Sequence, residues 1–421
     1  MRQYDSYKDS GQQWLGEIPS HWEIKRLASY FKERRNKVSD KEYAPLSVTK
    51  LGIFPQWENV AKTNDGDNRK LVKAGDFVIN SRSDRKGSSG ISDRDGSVSL
   101  INTVLQLRSN IYPPFCLYLL KSYSFIEEYY RNGHGIVADL WTTGYDEMKM
   151  IKLAIPKMEE QKVISYYLDK ITAHIDKAIA QQQRMIDLLN ERKQIIIQQA
   201  VTKGLNPNAK MKNSGVEWIG QVPEHWEVIR LKRCAAVKTG CTPSTKELKY
   251  YENQDINWFT PEDIGSERIC EAQKKVSYIA KQEGACKVFP SHIVYFVGIG
   301  ASIGKVSYCD IEASANQQIN AIIPNHRVNY KFLSYCLKTQ KEEIFLTANT
   351  VTLPIINQER TGSLLITVPP LSEQKKIVSY IETKTANIDK AITKQQQIVD
   401  LFKERKQIII NDAVTGKIKV I

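Results

Sequence analysis

The sequence of 421 residues lacks the features that would place it in a membrane or outside the cell. Its longest apolar stretch, near 293–303, is too short to span a bilayer and is interrupted by Gly298 and Gly300. No apolar signal segment follows Met1. The seven cysteines form no Cys-x-x-Cys pair, which argues against a disulfide framework and against a zinc site. We therefore expect a reduced protein of the cytoplasm.

Motifs for catalysis and cofactor binding are lacking as well. The glycines of 298–304 are spaced too widely for a dinucleotide-binding loop, and Gly304-Lys305 lacks the hydroxyl residue of a P-loop. The stretch 112–115 has Tyr where the Asn/Asp-Pro-Pro-Tyr motif of adenine methyltransferases holds its target amino group. The carboxylate of Glu160 has no acidic companion for a nuclease metal site. The sequence therefore predicts no catalytic residue, no cofactor site and no metal site in this chain.

The charge balance is basic, with a net charge of +13 and a pI near 9.2. Such an excess suggests a polyanionic partner such as nucleic acid. The basic residues are spread along the chain rather than collected in one tail. Charge alone therefore does not separate nucleic-acid binding from an ordinary basic surface.

Two blocks of the sequence occur twice. Residues 10–27 return at 214–231 with ten of the eighteen positions identical, and residues 155–204 return at 368–417 with 27 of 50 identical. The segments between the blocks share no register. The chain is therefore one unit used twice, with a constant frame and two different inserts. This organisation predicts two like partners for the frame and two unlike targets for the inserts.

The second repeated block is predicted to be a long helix. No Gly or Pro interrupts 159–201 or 371–415, and Pro156 and Pro369 stand in the first turn, where a helix tolerates proline. Apolar residues alternate at spacings of three and four, as in a coiled-coil seam. The seam positions are Ile164, Leu168, Ile171, Ile175, Ala178, Met185, Leu189 and Ile196, and then Ile377, Ile381, Ile388, Ala391, Ile398, Phe402 and Ile409. We expect the helices to pair antiparallel, with a globular domain at each end and a pseudo-twofold axis between them.

Both helices carry exceptions to this seam. Polar residues stand at core positions, namely Gln182, Arg192, Gln395 and Arg405. They either fix the register or mark solvated ends of the coil. The isoleucine triplets 195–197 and 408–410 cover nearly the whole helix circumference, so a single coil partner cannot bury them. They need a further surface, either the base of a globular domain, which we favour, or a separate subunit.

The first repeated block contains the motif Pro-x-His-Trp-Glu. His21 and His225 stand in it beside tryptophans at 14, 22, 218 and 226. One histidine for each motif is too few for a metal site. We predict that these residues pack each domain against the helices.

The inserts, 28–154 and 232–367, mix short β-like runs with turn signals and late amphipathic helices, which indicates α+β domains with small sheets. Loops 81–90 and 238–246 combine cations with hydroxyl residues and glycine, as contacts to phosphates and guanine edges require. The alternative is an ordinary solvated loop. The predicted DNA-binding residues are Arg82, Ser83, Arg85, Lys86, Ser88 and Ser89 in the first loop, and Lys238, Thr239, Thr242, Ser244, Thr245 and Lys246 in the second.

Taken together, these features resemble the specificity subunit of type I restriction–modification enzymes. The resemblance covers nearly the whole chain. It includes the Trp-x-Gly-x-x-Pro-x-His-Trp-Glu starts at 14–23 and 218–227 and the Pro-x-x-x-Glu-Gln-Lys helix starts at 156–162 and 369–375. In the second insert it includes 239–244, 258–263, 301–306 with Lys305, and Asn316-Gln317. The first insert lacks the Gly-x-Thr-Pro-Ser stretch of 240–244 and follows the family pattern less closely.

The resemblance implies that two target-recognition domains each read one half of a bipartite site in double-stranded DNA, with Lys305 added to the DNA-binding residues. The helix pair would set the spacer and bind two modification subunits, which are adenine methyltransferases. Restriction subunits, with translocase and nuclease activity, would join them. S-adenosylmethionine, ATP and Mg would bind those partners, and this chain would be non-catalytic. The alternatives are a coiled-coil adaptor without sequence-specific DNA binding and a stand-alone DNA-modifying enzyme.

The resemblance also sharpens the expected fold class and the domain division. The class is α+β, with two globular target-recognition domains separated by two long helices that form an antiparallel coiled coil. The expected division is target-recognition domain 1 at 1–154, long helix 1 at 155–204, target-recognition domain 2 at 205–367, long helix 2 at 368–417 and a tail at 418–421.

Overall fold

A computed structural model of the chain describes residues 2–56, 66–135, 141–340, 343–344 and 354–420. The chain divides into two compact units. Unit 1 consists of Met1–Gln183 with Gln396–Ile421, and unit 2 of Arg184–Gln395. Each unit therefore contains one insert, the first part of one long helix and the last part of the other. The linear boundaries drawn from the sequence stay a prediction.

The described helices confirm the long elements of the sequence analysis. They are α1 (Pro113–Leu120), α2 (Tyr123–Arg131), α3 (Tyr145–Met148), α4 (Met158–Lys203), α5 (Tyr278–Gln282), α6 (Tyr330–Lys338), α7 (Gln358–Ser363) and α8 (Leu371–Val414). Short 3₁₀ turns occur at Leu27–Ser29, Ser83–Arg85, Leu231–Arg233 and Leu248–Tyr250. Within the described residues, no helix is both long enough and apolar enough to cross a bilayer.

The strands of unit 1 form small sheets. They are β1 (Tyr7–Asp9), β2 (Glu17–Pro19), β3 (Glu23–Arg26), β4 (Phe31–Glu33), β5 (Lys37–Val38), β6 (Leu46–Thr49), β7 (Gly52–Pro55), β8 (Arg69–Val72), β9 (Phe77–Asn80), β10 (Ser89–Ile91), β11 (Gly96–Ser99), β12 (Asn102–Leu107) and β13 (Lys152–Ile155). The sheet orders are β10-β9-β12-β4 and β11-β8-β5, with the pairs β1-β2, β3-β13 and β6-β7. All of these pairings are antiparallel.

The strands of unit 2 form two larger sheets. They are β14 (Met211–Asn213), β15 (Gln221–Pro223), β16 (Glu227–Arg230), β17 (Ala235–Thr239), β18 (Ile256–Phe259), β19 (Arg268–Ile269), β20 (Lys275–Val276), β21 (Val288–Phe289), β22 (Ile293–Val297), β23 (Val306–Cys309), β24 (Ala313–Ala315), β25 (Ile319–Pro324) and β26 (Leu365–Val368). The orders are β17-β25-β22-β23-β19 and β20-β18-β24-β21, with the pairs β14-β15 and β16-β26. Two pairings, β18 with β24 and β19 with β23, are parallel. Together with the helices, these sheets confirm the α+β class.

The long helices pair antiparallel within each unit, as predicted. In unit 1 the Nζ of Lys406 lies 2.6 Å from the Oδ2 of Asp176, and in unit 2 the Nζ of Lys193 lies 2.8 Å from the Oδ2 of Asp389. The repeat aligns Asp176 with Asp389 and Lys193 with Lys406, so the two ion pairs are equivalent contacts. In each pair an early residue of one helix meets a late residue of the other.

The seam differs from the prediction in the middle of α4. Ile164, Leu168 and Ile175 are buried as predicted, but Met185 is 47% exposed and Ile186 is buried instead. A helix with 3.6 residues per turn drifts against a seven-residue repeat, so the buried face moves one position along.

Because of the same drift, two of the four polar residues predicted at core positions do not lie in the core. Arg192 and Arg405 are exposed, and the adjacent lysines, which form the ion pairs, lie partly in the seam. Gln182 and Gln395 are partly buried, as predicted.

The isoleucine triplets divide between two surfaces. Ile197 is buried in the core of unit 2 together with Trp226, and Ile409 and Ile410 are buried in the core of unit 1. These residues pack against the base of a globular domain, the favoured alternative. Ile195 and Ile408, which the repeat aligns, remain 44% and 49% exposed.

A cluster around Glu160 joins the first repeated block of unit 1 to its helix. The carboxylate accepts hydrogen bonds from the hydroxyl of Tyr4 at 2.8 Å and from the indole of Trp22 at 3.2 Å. His21 Nε2 lies 2.8 Å from the same carboxylate. Burial, followed by the hydrogen bond to Glu160, raises the pKa of Tyr4. The tryptophan is the packing residue, whereas the histidine is half exposed and acts as a hydrogen-bonding partner, which corrects the packing prediction for it.

Gln161 and Gln374 follow Glu160 and Glu373 at the starts of the two long helices. Each holds an adjacent loop through its side-chain amide. In unit 1 the Oε1 of Gln161 accepts from the backbone amide of Tyr112 at 2.7 Å, and its Nε2 donates to the carbonyl of Pro156 at 2.9 Å. In unit 2 the equivalent Gln374 accepts from the amide of Asn329 at 2.7 Å. Both glutamines are buried. The repeated Glu-Gln-Lys motif therefore has a structural role in each unit.

Candidate nucleic-acid interface

Segments of unit 2 that are far apart in sequence meet around one open cleft. The cleft has a volume of about 380 Å³. Its lining includes Trp258 and Thr260 at the end of β18, Ser302 in the turn after β22, and Asn316 after β24. The sequence analysis identified these three segments separately through the family resemblance. The sheet order brings them together, because β18 pairs with β24 in one sheet.

Hydrogen bonds hold the rim of this cleft in place. The indole of Trp258 donates to the carbonyl of Cys241 at 2.9 Å, which ties the loop after β17 to β18. The amide and hydroxyl of Thr260 donate to Asp263 at 2.7 and 2.8 Å. The amide of Cys241 donates to the carbonyl of Ala315 at 2.9 Å. Hydrogen bonds therefore join the loop after β17 to the end of β18 and to the end of β24.

The predicted loop 238–246 consists of two different parts. Lys238 and Thr239 belong to β17 and pair with Ala321 and Asn320 of β25, so the loop begins later than predicted. The hydroxyl of Thr239 donates to the side chain of Asn320 at 2.8 Å. This threonine supports the sheet, whereas Lys238 is exposed on the strand.

The remaining predicted residues of this loop lie on the surface. Thr242, Ser244, Thr245 and Lys246 are all exposed, and the hydroxyl of Thr242 donates to the side chain of Gln317. Two further cations lie nearby that the sequence analysis missed. Lys274 lines the cleft, and the ammonium of Lys287 donates to the carbonyl of Thr239 at 3.0 Å. Neither lies near a motif in sequence, so no local signal identifies them.

Lys305 lines a different cleft of unit 2. This cleft, of about 830 Å³, lies between the insert and α4 and is also lined by Lys193 and Lys338. Glu267 and Glu343 line it as well, so its charges are mixed. Burial lowers the pKa of Lys338 to about 8. The structure therefore separates Lys305 from the loop with which the sequence analysis grouped it.

The first insert presents its loop differently. Arg82 and Arg85 are exposed, and a 3₁₀ turn at Ser83–Arg85 shapes the loop. The amide of Ser83 donates to the carbonyl of Trp141 at 3.1 Å, which holds the loop against a neighbouring segment. The Nζ of Lys86 lies 2.7 Å from Glu127. Arg82, Asp84 and Arg85 are thus the exposed residues of this loop.

Two predicted contacts of the first loop face inward. Ser88 is 5% exposed and Ser89 is fully buried, because they lead into and begin β10 beside β9. The hydroxyl of Ser89 has no hydrogen-bond partner among the described residues. Any contact of these two residues with DNA would require a rearrangement, whereas Ser83 and Lys86 are partly exposed.

Across the described ranges, no group of three or more His, Cys, Asp or Glu side chains is arranged to hold a metal ion.

Known proteins share both the sequence and the fold of this chain. The family model described as the type I restriction modification DNA specificity domain matches residues 223–400. The chain is 24% identical to the MjaVIII specificity subunit of a type I restriction enzyme from Methanocaldococcus jannaschii, over 96% of this chain and 94% of that protein. It is 29% identical over 194 residues to the MjaIX specificity subunit of the same organism, covering 44% of each chain.

Among solved structures, the fold is similar to a chain from a study of complex assembly and conformational transition of the type I R-M system. The TM-score is 0.70 at 15% identity, covering 95% of this chain and 99% of that one. The family model, the full-length relatives and the repeated frame agree with one another. The chain is therefore similar, in sequence and in fold, to the specificity subunits of type I restriction–modification enzymes.

Proposed function

We propose that the chain recognises a bipartite sequence in double-stranded DNA, with unit 1 reading one half-site and unit 2 the other. The observation that carries this proposal is that one frame, with equivalent Glu160 and Glu373 contacts, supports two inserts whose second sheets and loops differ. The duplicated frame supports the two inserts in an equivalent way. Because the inserts differ, each can recognise a different half-site sequence. In unit 2 the joined rim of the 380 Å³ cleft supplies hydroxyls, amides and cations, which suit base edges and phosphates.

The chemistry would reside in partner subunits. This chain would bind no S-adenosylmethionine, ATP or Mg, which would be held by two modification subunits and by restriction subunits in the cytoplasm. Labelled S-adenosylmethionine incubated with DNA and the purified chain alone should therefore give no methyl transfer. Transfer by a preparation shown to contain no modification subunit would indicate a stand-alone enzyme instead.

Two equivalent apolar stripes support the proposal of two like partners. Leu188 and Ile195, seven residues apart on α4, are both 44% exposed. The repeat aligns them with Leu401 and Ile408 on α8, which are 63% and 49% exposed. Residues seven apart lie on one face of a helix, so each unit presents one stripe. A partner helix packed along each stripe would account for apolar side chains that the described chain leaves uncovered.

Co-purification with modification subunits tests these stripes. Replacing Leu188 and Ile195 with Ser should reduce the bound modification subunits from two to one, and adding the equivalent changes in α8 should remove both. The matched control is Tyr166→Ser, which is 62% exposed on α4 but is aligned with Ser379 and so has no apolar counterpart. Retention of two modification subunits by the fourfold variant would refute the assignment.

The recognition proposal is tested by methylation-sensitive sequencing of DNA from cells that carry the complete system. Deleting the gene should abolish methylation at one bipartite motif. Arg82→Ala with Arg85→Ala should degrade only one half of that motif, and Lys238→Ala with Lys246→Ala only the other. The control Lys210→Ala with Lys212→Ala removes two lysines beside and within β14 of the frame and should change neither half. An unchanged motif in all variants would favour the adaptor alternative.

The helix pair is proposed to set the spacer between the half-sites. Inserting four residues after Gln182 and after the equivalent Gln395 adds about 6 Å to each helix. At about 3.4 Å per base pair, the preferred spacer should lengthen by one or two base pairs while both half-sites stay the same. An active variant that retains the original spacer would show that the helices do not set the distance.

A further inference from the structure

An almost fully exposed leucine stands at the tip of a two-stranded ribbon in unit 1. Strands β6 and β7 pair from Leu46 with Pro55 to Thr49 with Gly52, so Lys50 and Leu51 form a two-residue turn. Leu51 is 88% exposed. Such a side chain contributes little to the folded core, because burial of apolar area is what stabilises it.

The tip is held in one conformation. The hydroxyl of Thr49 accepts from the amides of Leu51 and Gly52 at 3.1 and 3.2 Å, and it donates to the carbonyl of Gly52 at 3.0 Å. Gly52 has a φ of +141°, which favours glycine. The inner side of the ribbon packs on a small core through Val48 and Ile53. Leu51 is therefore presented by a supported hairpin.

The tip is also tied to the neighbourhood of the predicted DNA-binding loop. The ammonium of Lys121 donates to the carbonyl of Lys50 at 2.8 Å and to the carbonyl of Ser89 at 3.1 Å. A Cβ placed on Gly90 would lie 3.1 Å from the Cα of Gly52, so the two segments are in direct backbone contact. The tip therefore adjoins the buried end of loop 81–90, and the other end of that loop carries the exposed Arg82 and Arg85.

We propose that Leu51 contacts the C5-methyl group of a thymine in the major groove of the half-site read by unit 1. This inference rests on the proposed function. A two-stranded ribbon fits the major groove, which is about 12 Å wide and displays the thymine methyl. The thymine methyl is the one apolar group on the base edges of that groove, and apolar side chains recognise it. Lys50, exposed beside the leucine, suits an adjacent phosphate.

Replacing thymine by deoxyuridine removes only that methyl group and so tests the contact directly. Each thymine of the mapped half-site is replaced in turn, and the affinity of the chain assembled with its modification subunits is measured for wild type and for Leu51→Ala. One replacement should weaken wild-type binding about fourfold, the effect of exposing one methyl-sized group. Leu51→Ala should weaken binding to the thymine duplex by a similar factor and should not respond to that replacement.

Two controls accompany the measurement. Met150→Ala removes another exposed apolar side chain that follows a lysine in unit 1, beside β13, and should bind like wild type on every duplex. Deoxyuridine in the other half-site should affect wild type and Leu51→Ala equally. Equal thermal melting of the two variants excludes a folding defect.

The outcomes separate this inference from the proposed function. The wild-type complex could bind specifically while every deoxyuridine replacement weakens wild type and Leu51→Ala by the same factor. That result would overturn the leucine contact alone. A half-site without a responsive thymine would do the same. Absence of any sequence-specific binding by the assembled wild-type complex would overturn the proposed function and this inference together.

Discussion

Units 1 and 2 share a frame but differ in what the frame supports. The strand pairs β3-β13 and β16-β26 occupy equivalent sequence positions, as do Gln161 and Gln374 with their loop contacts. The main sheets of the inserts share one strand order, β4-β12-β9-β10 in unit 1 and β17-β25-β22-β23 in unit 2, where β19 is added. The second sheets differ, because unit 1 has three antiparallel strands and unit 2 has four strands with a parallel pair. The comparison teaches that the frame and the main sheet are kept while the second sheet and the loops change.

The frame itself is not identical in the two units. In unit 1 the indole of Trp22 donates to Glu160 at 3.2 Å, and Tyr4 donates to the same carboxylate. In unit 2 the indole nitrogen of Trp226 has no hydrogen-bond partner among the described residues. Equal packing combined with unequal hydrogen bonding allows the two contributions to be measured separately.

The largest expected effect comes from removing the buried tryptophans. Trp22→Ala and Trp226→Ala should each reduce the free energy of unfolding by about 3–5 kcal/mol, because each leaves a cavity in a packed core. Hydrogen exchange followed by mass spectrometry should show loss of protection mainly in the unit that carries the substitution. Equal loss in both units after either change would mean that the units do not unfold separately.

The second-largest expected effect concerns one partly buried lysine in each insert, Lys121 and Lys338. Lys338 in unit 2 has no hydrogen-bond acceptor among the described residues, whereas Lys121 in unit 1 has two carbonyl acceptors. Burial lowers the pKa of Lys338 to about 8, so below pH 8 the folded protein carries the full cost of the buried charge. That cost falls as the pH rises from about 8 toward the ordinary lysine pKa, because the folded state loses its proton first.

Lys338→Met should therefore stabilise the protein by about 1–3 kcal/mol at pH 7, with a smaller gain at pH 10. Chemical denaturation at both pH values measures the difference. The control Lys121→Met should destabilise, because it leaves the carbonyls of Lys50 and Ser89 without their donor. A gain from Lys338→Met that does not shrink with rising pH would contradict the charge explanation.

The unequal tryptophan hydrogen bonds should give a smaller effect. Trp22→Phe should cost about 1 kcal/mol more than Trp226→Phe, since both remove similar packing but only the first removes a hydrogen bond to a carboxylate. Denaturation curves of the two variants provide the comparison. Equal losses would show that the bond from Trp22 to Glu160 adds no net stability.

The smallest expected effect is at the equivalent ion pairs between the long helices. Asp176→Asn and Asp389→Asn should each cost about 0.2–1 kcal/mol, because both aspartates are at least half exposed. The two losses should match and should decrease in high salt. Thermal melting at low and high salt measures both losses of stability. Clearly different losses would show that the two ion pairs are not equivalent.

Much of the frame could be predicted from the sequence. The repeated blocks predicted two units, and the long stretches without Gly or Pro predicted α4 and α8 with their antiparallel pairing. The predicted seam positions are buried near the start of each helix and again at Ile409, but not at Met185 in the middle of α4. The prediction that Met185 lies in the seam was wrong, because it extended a seven-residue spacing along a helix whose buried face drifts.

The candidate site was only partly predictable. Thr242 and Lys246 are exposed as a DNA-binding loop requires, and the sequence signalled them by composition. The burial of Ser88 and Ser89 had no such signal, because loop composition does not show where a strand resumes. There was also no signal in the sequence that Lys305 and Ser302, which belong to one turn, line two different clefts.

By itself the sequence determined the duplication, the helices and the chemical character of the loops, because these depend on local periodicity and composition. Only the tertiary structure decided which motifs share a cleft. Trp258 and Asn316 line one cleft because β18 and β24 pair in parallel, a contact between residues more than fifty positions apart. It also decided that Leu51 projects from its ribbon beside the loop of Arg82. Long-range strand pairing places such groups together, and no local pattern encodes it.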